Sequence, residues 1–137
     1  ETDLFGEQVV LTGSIPMIIM ESYKLLVNKG YSPIVSWFVC FYEIKTIIDL
    51  MFKNGMQNFY ESISDTARFG GVSRGSKLID QSFKNKMEDI LEEIQNGVFD
   101  KELKKSVSNN INYKSNEVFD SKEFNEIENL LLNKIKD

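Results

Sequence analysis

Apolar residues fill almost every position between Ser32 and Gly55, and this pattern predicts one long, nearly buried central helix. Ser32 can cap the free amides of the first turn, and Pro33 suits the first helical position. Asn54 and Gly55 together supply a left-handed stop. Glu43 is the exception, because a buried carboxylate is costly unless a cation or a metal pairs with it. We expect the other helices to pack around this one.

Helical periodicity also covers most of the remaining chain. It predicts helices at 3–12, 15–29, 56–63, 80–95 and 122–136, with a break at Gly13 and Ser14. Ser64 should cap a short turn that stops at Gly70 and Gly71, and a loop should follow at 72–78. One or two helical turns follow residue 98, and residues 106–120 are polar, Asn-rich and typical of a connector.

The last predicted helix carries a single apolar stripe, which should dock on the body or on a partner. The stripe consists of Phe124, Ile127, Leu130, Leu131 and Ile135. Strand signals are weak, since the β-branched residues lie inside helical patterns and no Asn-Gly pair separates two alternating runs. The fold class is therefore all-α: a compact multi-helix domain around the central helix.

Composition excludes several classes of function. The 137 residues suit one domain, and a net charge of -5 argues against a nucleic-acid surface, which needs clustered Lys and Arg. Glu43, Lys45 and Asp49 interrupt the central helix, so it does not predict a membrane span. Cys40 is the only cysteine, and its apolar neighbours predict a reduced, buried thiol in the cytoplasm or an organellar interior. Histidine is absent, so carboxylates and hydroxyls carry any chemistry.

Three carboxylates are candidates for that chemistry. Asp3 and Glu7 have i, i+4 spacing, which places both on one helix face about 6 Å apart along the axis, where they could chelate magnesium. The alternative is a solvated first turn stabilised by the helix dipole. For Glu43, the alternative to a metal is an ion pair with Lys45 or Lys24.

Four segments resemble the C-terminal, all-α domain of ketol-acid reductoisomerase, the branched-chain amino-acid enzyme. They are DLFGEQVVL at 3–11, CFYEIKTIIDL at 40–50, ISDTARFG at 63–70 and SRGSKLID at 73–80. Order and gaps agree from residue 1 to about 99, so we predict a reductoisomerase-like helical domain at 1–99. Residues 100–137 remain an unassigned connector and C-terminal helix. In the short form of that enzyme, such a domain follows a dinucleotide-binding domain, which would end just before this chain.

The resemblance implies a magnesium-dependent alkyl migration in an acetohydroxy acid such as 2-acetolactate, followed by reduction with NADPH bound by the upstream domain. It implies that Asp3, Glu7 and Glu43 hold magnesium and that Ser64 contacts the substrate. It implies an intertwined homodimer, in which Glu43 and Ser64 of one chain meet Asp3 and Glu7 of the other. We expect no catalytic residue in this chain beyond these ligands, so the chain alone should be inactive.

The departures from the family pattern lie around the second metal site. Val39 stands one turn before Glu43, where the family has a glutamate ligand. Tyr42 replaces a histidine, Met17 and Ile34 replace acidic residues, and Arg68 replaces an acid. A valine at position 39 also has a simple explanation, since it stabilises a core where a carboxylate would need a metal. A working enzyme with a modified site, a degenerate homologue serving assembly or binding, and an unrelated helical interaction domain therefore all stay open.

Overall fold

The computed structural model describes residues 1–109 and 119–135, and within them every regular element is helical. The α-helices are α1 (Thr2–Gly6), α2 (Ser14–Asn28), α3 (Pro33–Trp37), α4 (Glu43–Asn58), α5 (Asp65–Leu78), α6 (Gln81–Gln95), α7 (Val98–Ser108) and α8 (Lys122–Ile135). A first π-turn spans Glu7–Leu11, a second spans Phe38–Tyr42, and a 3-10 turn spans Phe59–Ser62. The all-α prediction is confirmed.

The predicted central helix forms, although it is built from three pieces: α3, the second π-turn and α4. The Ser32 side chain accepts a hydrogen bond from the Val35 amide, as expected of a cap. Gly55 has φ 75° and ψ 157°, a conformation that residues with a side chain rarely adopt, and the helix is kinked there. The predicted start is therefore confirmed, whereas at the predicted left-handed stop the helix is kinked and α4 continues to Asn58.

The prediction that this helix is nearly buried is wrong for a single chain. Only Ser36 and Trp37, both in α3, are buried, and α4 has no buried residue. The reason is coverage: α2 and α8 pack against the first half of the central helix, whereas the second half is covered chiefly by the 3-10 turn that follows it. Phe52 is 88% exposed and Met56 is 71% exposed.

The hydrophobic core lies where α2, α3 and α8 meet. Its buried members are Ile19, Met20, Tyr23, Trp37, Phe124 and Ile127. Tyr23 and Phe124 pack edge to face with ring centroids 4.9 Å apart, and Trp37 contacts Phe38 and Phe41 in the same manner at 5.3 Å. Aromatic rings contribute large buried areas and favour this geometry, so they dominate the stability of the core.

The last helix docks on the body of the same chain, which confirms one of the two predicted outcomes. Its Phe124 and Ile127 are buried against α2 and α3. The Ser121 side chain accepts a hydrogen bond from the Phe124 amide and so provides the cap. Of the predicted connector at 106–120, residues 110–118 lie outside the described residues, and Ser106 to Ser108 belong to α7.

The predicted stop at Gly70 and Gly71 and the predicted loop at 72–78 are wrong, because α5 runs without interruption to Leu78. Neither glycine has a positive φ. Glycine is permissive and adopts the helical region when other interactions favour it, at a cost of about 1 kcal/mol relative to alanine. Here the Ser64 cap and two ion pairs of Arg68, with Glu61 and Asp65, support the first turns.

Among the residues that the structure describes, one stretch, Thr2–Asn28, is long and apolar enough to cross a membrane by length and composition. A single such stretch is weak evidence, since core helices pass the same test. Here the chain turns at Thr12 and Gly13, and the face with Ile19, Met20 and Tyr23 is buried in the core. The stretch therefore serves as packing surface within the domain.

Candidate functional site

Asp3 lies in α1 and Glu7 is the first residue after it, so the two acids are one helical turn apart, as the spacing predicts. The Glu7 amide donates to the Asp3 and Leu4 carbonyls, which closes the turn that connects the two acids. Both side chains are exposed. Neither forms an ion pair or a side-chain hydrogen bond within the described part of the chain. Two unpaired carboxylates on one face are suited to a hard divalent cation.

The first π-turn begins at Glu7 itself. The Glu7 carbonyl accepts three hydrogen bonds: from the Thr12 amide at 2.8 Å, from the Thr12 hydroxyl Oγ1 at 2.9 Å and from the Gly13 amide at 3.2 Å. The backbone on both sides of the Glu7 Cα is therefore held by hydrogen bonds. The sequence predicts the break at Gly13, but not the π-turn that precedes it.

Glu43 is the first residue of α4, directly after the second π-turn. Its amide donates to the Phe38 and Phe41 carbonyls. The side chain is exposed in the single chain, so the expectation that it is buried and needs a counter-charge is wrong at this level. Because a solvated carboxylate carries no desolvation penalty, it needs no partner.

The two lysines considered as partners for Glu43 interact elsewhere. Lys45 pairs with Asp49 at 2.8 Å, and Lys24 lies 3.7 Å from Glu21. The Asp49 carboxylate raises the pKa of Lys45 through its hydrogen bond and its charge. The predicted ion pair of Glu43 is therefore wrong for the described residues, and its carboxylate remains available to a ligand or to another chain.

Val39 lies within the second π-turn, where the family would carry a further carboxylate. It is 49% exposed and lines a groove of about 390 Å³ between α2 and the central helix. The groove is almost wholly apolar, with walls from Ile15, Ile18, Ile19, Ser22, Cys40, Ile44 and Ile48. Cys40 is only partly buried, so the predicted buried thiol is wrong for the single chain; this partial burial raises the pKa of the thiol. Its reduced state stays a prediction. This groove offers no ligand that could replace the missing carboxylate.

Ser64 is the cap of α5, and its Oγ accepts a hydrogen bond from the Ala67 amide at 3.2 Å. The residue is exposed, and its hydroxyl proton remains available as a donor. The structure thus gives Ser64 a structural role that is compatible with the predicted contact to substrate. The contact itself stays a prediction.

Within residues 1–109 and 119–135, no group of three or more Asp, Glu, Cys or His side chains is close enough to hold one metal ion. Asp3 and Glu7 therefore form one candidate pair, and Glu43 lies apart from them in the single chain. The metal assignment of all three residues stays a prediction.

Comparison with known proteins places these residues in a family. The sequence model "Ketol-acid reductoisomerase, C-terminal domain" matches residues 1–134. The chain belongs to this family. The match continues past residue 99, where we placed a boundary; that division of the chain stays a prediction.

Curated reductoisomerases are similar to this chain over most of its length. The chain is 48% identical over 102 residues to the ketol-acid reductoisomerase (NADP(+)) of Corynebacterium jeikeium (strain K411), a stretch of 74% of this chain and 30% of that protein. It is 46% identical over 102 residues to the enzyme of the same name from Haloarcula marismortui, covering 74% of this chain and 29% of that protein. The chain therefore corresponds to less than a third of each relative.

A solved structure shows the same fold. It is described as an NADH-preferring ketol-acid reductoisomerase from an uncultured archean, with a TM-score of 0.89 and 30% sequence identity. The superposition covers 96% of this chain and 40% of that one. Because so little of the chain is left out, most of α8 belongs to the superposed part.

Proposed function

We propose that this chain is the metal-binding helical domain of a ketol-acid reductoisomerase. The complete enzyme would convert an acetohydroxy acid such as 2-acetolactate by alkyl migration and then reduce the product with NADPH, as a step in valine, leucine and isoleucine biosynthesis. The observation that carries this proposal is the pair Asp3 and Glu7, unpaired, exposed and one turn apart within the family's own helix. NADPH would be bound by an upstream domain, and the enzyme would work in the cytoplasm or an organellar interior.

The residues present fit one magnesium ion, but they do not supply the full set of ligands for two magnesium ions. Asp3 and Glu7 offer oxygen ligands from one helix face, which is the donor chemistry that magnesium prefers. Glu43 adds a third carboxylate, yet Val39 leaves the groove beside it apolar. Magnesium, when bound, would acidify the substrate hydroxyl and polarise the carbonyl, and neither task needs histidine from this domain.

The chain's own residues then have separate tasks. Asp3 and Glu7 would hold the cation at a fixed point where α1 meets the first π-turn, because both peptide groups beside the Glu7 Cα are hydrogen-bonded. Ser64 would orient the substrate by donating its hydroxyl proton, since its oxygen already caps α5. The apolar groove around Val39 would exclude water from the side of the site that has lost a carboxylate.

A homodimer would bring Glu43 and Ser64 of one chain to Asp3 and Glu7 of the other. Two observations support it. First, the acids do not meet within the described residues of one chain. Second, the chain exposes 10643 Å², whereas a compact monomer of 15.8 kDa exposes about 7,300 Å². The excess includes large apolar side chains of α4 and α5, such as Phe52, Met56, Phe69 and Leu78. A partner would cover them, as in obligate interfaces of more than about 2,000 Å².

A second candidate function is a degenerate homologue that keeps the fold for assembly or binding. The specific observation in its favour is Val39, because an apolar residue replaces a ligand and lies in an apolar groove. The retained acids Asp3, Glu7 and Glu43 argue against it.

The test is a magnesium titration of thermal unfolding for the full-length parent, Asp3→Asn and Val39→Glu. A ligand that binds only the folded state raises stability with the logarithm of its concentration over its dissociation constant. The parent should gain stability with magnesium, and Asp3→Asn should lose that gain. Val39→Glu should bind magnesium at least about 10-fold more tightly and be less stable without metal, because the added carboxylate lies in the groove near Glu43.

Two results would contradict the proposal. If magnesium does not stabilise the parent, the first site is absent and the binding-module function replaces the enzyme. If Val39→Glu gains nothing over the parent while Asp3→Asn behaves as expected, the second site has moved away from the family's geometry.

A further inference from the structure

The turn that ends the first helical segment contacts the backbone of a proposed metal ligand. Thr12 and Gly13 direct three donors at the Glu7 carbonyl, at 2.8 Å, 2.9 Å and 3.2 Å. On the other side of the same Cα, the Glu7 amide is held by the Asp3 and Leu4 carbonyls. When both peptide planes of a residue are fixed, the direction of its Cα–Cβ bond is fixed as well.

Gly13 is required at this position for a steric reason. A Cβ built on Gly13 would overlap the carbonyl oxygen of Gln8 and would lie 2.9 Å from the carbonyl carbon. Both atoms belong to the backbone of the π-turn, so no side-chain rotation can relieve the overlap. Any larger residue would have to open the turn and move the peptide group between Gln8 and Val9, which directly follows the peptide group that carries the Glu7 carbonyl. π-Turns of this kind are rare and occur frequently at functional sites.

We propose that Thr12 and Gly13 are positioning residues for metal binding: the π-turn they close holds Glu7 in the orientation that allows it to share a cation with Asp3. This inference rests on the proposed function. It assigns a role to the Thr12 hydroxyl, which is exposed and makes no other side-chain hydrogen bond within the described residues. Because φ at Gly13 is negative, the backbone angle alone does not require glycine there. The overlap with Gln8 gives the reason for glycine at this position.

The experiment uses the full-length protein with five variants. Thr12→Val removes the hydroxyl while keeping the shape of the side chain, and Thr12→Ser restores the hydroxyl. Gly13→Ala introduces the overlap with Gln8. Gly6→Ala is the matched control, because a Cβ at Gly6 meets nothing within 4 Å although it lies next to Glu7. The double variant Asp3→Asn with Glu7→Gln removes the ligands.

Magnesium affinity is measured by calorimetry, and metal-free stability is measured by thermal unfolding. Supporting partners of metal ligands typically contribute about 10 to 100-fold in affinity. We therefore expect Thr12→Val to weaken magnesium binding by about 10-fold and Gly13→Ala by more than that. Thr12→Ser should bind as the parent does, and so should Gly6→Ala.

The outcomes separate this inference from the proposed function. If Thr12→Val and Gly13→Ala lower metal-free stability but keep the parent's magnesium affinity, the turn is merely structural and the inference is wrong, while the metal site stands. If Gly13→Ala does not fold, the comparison of Thr12→Val with Thr12→Ser decides alone. If the parent and the double variant bind magnesium equally, or neither binds it, the proposed site is wrong and the positioning role fails with it.

Discussion

Replacing Phe124 by alanine tests how strongly the last helix is bound to the body. Phe124 is 6% exposed and packs on Tyr23 at 4.9 Å and on Phe41 at 6.0 Å between ring centroids. Loss of a buried phenylalanine costs about 3 to 5 kcal/mol, and each aromatic pair accounts for about 0.5 to 1.5 kcal/mol of it. Phe124 also borders an open groove of about 360 Å³, so water can enter the vacated space. We therefore expect a loss near the lower limit, about 3 kcal/mol.

Urea unfolding measures this loss directly. With a slope of about 2 kcal/mol per molar urea, the midpoint should fall by about 1.5 M. Asn129→Ala is the control, because Asn129 is exposed on the same helix and exposed substitutions usually change stability by less than about 0.5 kcal/mol. If Phe124→Ala unfolds at the same urea concentration as Asn129→Ala, α8 does not contribute to the core and the described docking is wrong.

Three further predictions concern the core and the assembly. Burial raises the pKa of Tyr23, and the charge of Glu123 raises it further, so the free energy of unfolding should be steady below about pH 10 and fall as the pH rises toward the higher folded pKa. Tyr23→Phe should remove this fall. It should also stabilise the protein by about 1 kcal/mol at pH 7, since the buried Tyr23 hydroxyl has no partner among the described residues. If the free energy of unfolding depends on pH in the same way in both proteins, the prediction is refuted. The isolated chain should not bind NADPH, because Gly70, Gly71 and Gly75 lie within α5 rather than between a strand and a helix, and micromolar binding in calorimetry would contradict this. Light scattering at micromolar concentration should give the mass of a dimer, and a monomeric mass would leave Phe52 and the neighbouring apolar side chains unexplained.

The sequence predicts local features of this fold well, because they depend on neighbours within one turn. Caps at Ser32 and Ser64 are found where short polar side chains precede helical patterns. The kink at Gly55 follows from the special backbone freedom of glycine. The i, i+4 relation of Asp3 and Glu7 likewise follows directly from helix geometry.

What the sequence does not predict depends on contacts between distant segments. The helix across Gly70 and Gly71 is a local exception: two adjacent glycines predict a stop, although glycine also adopts the helical region. The exposure of Glu43 and Phe52 depends on how many helices cover the central one, and the local pattern of residues does not reveal this. In the π-turn at Glu7, the backbone hydrogen bond joins residues five apart rather than four. The sequence indicates this turn only through Gly13, which ends it.

The most direct test of the central claim is a turnover assay with the full-length protein, 2-acetolactate, NADPH and magnesium. We expect NADPH oxidation that requires both magnesium and 2-acetolactate, and we expect its rate to fall by at least about 100-fold in Asp3→Asn. A folded, dimeric protein that binds NADPH but does not oxidise it with 2-acetolactate at any magnesium concentration would contradict the proposed enzyme function.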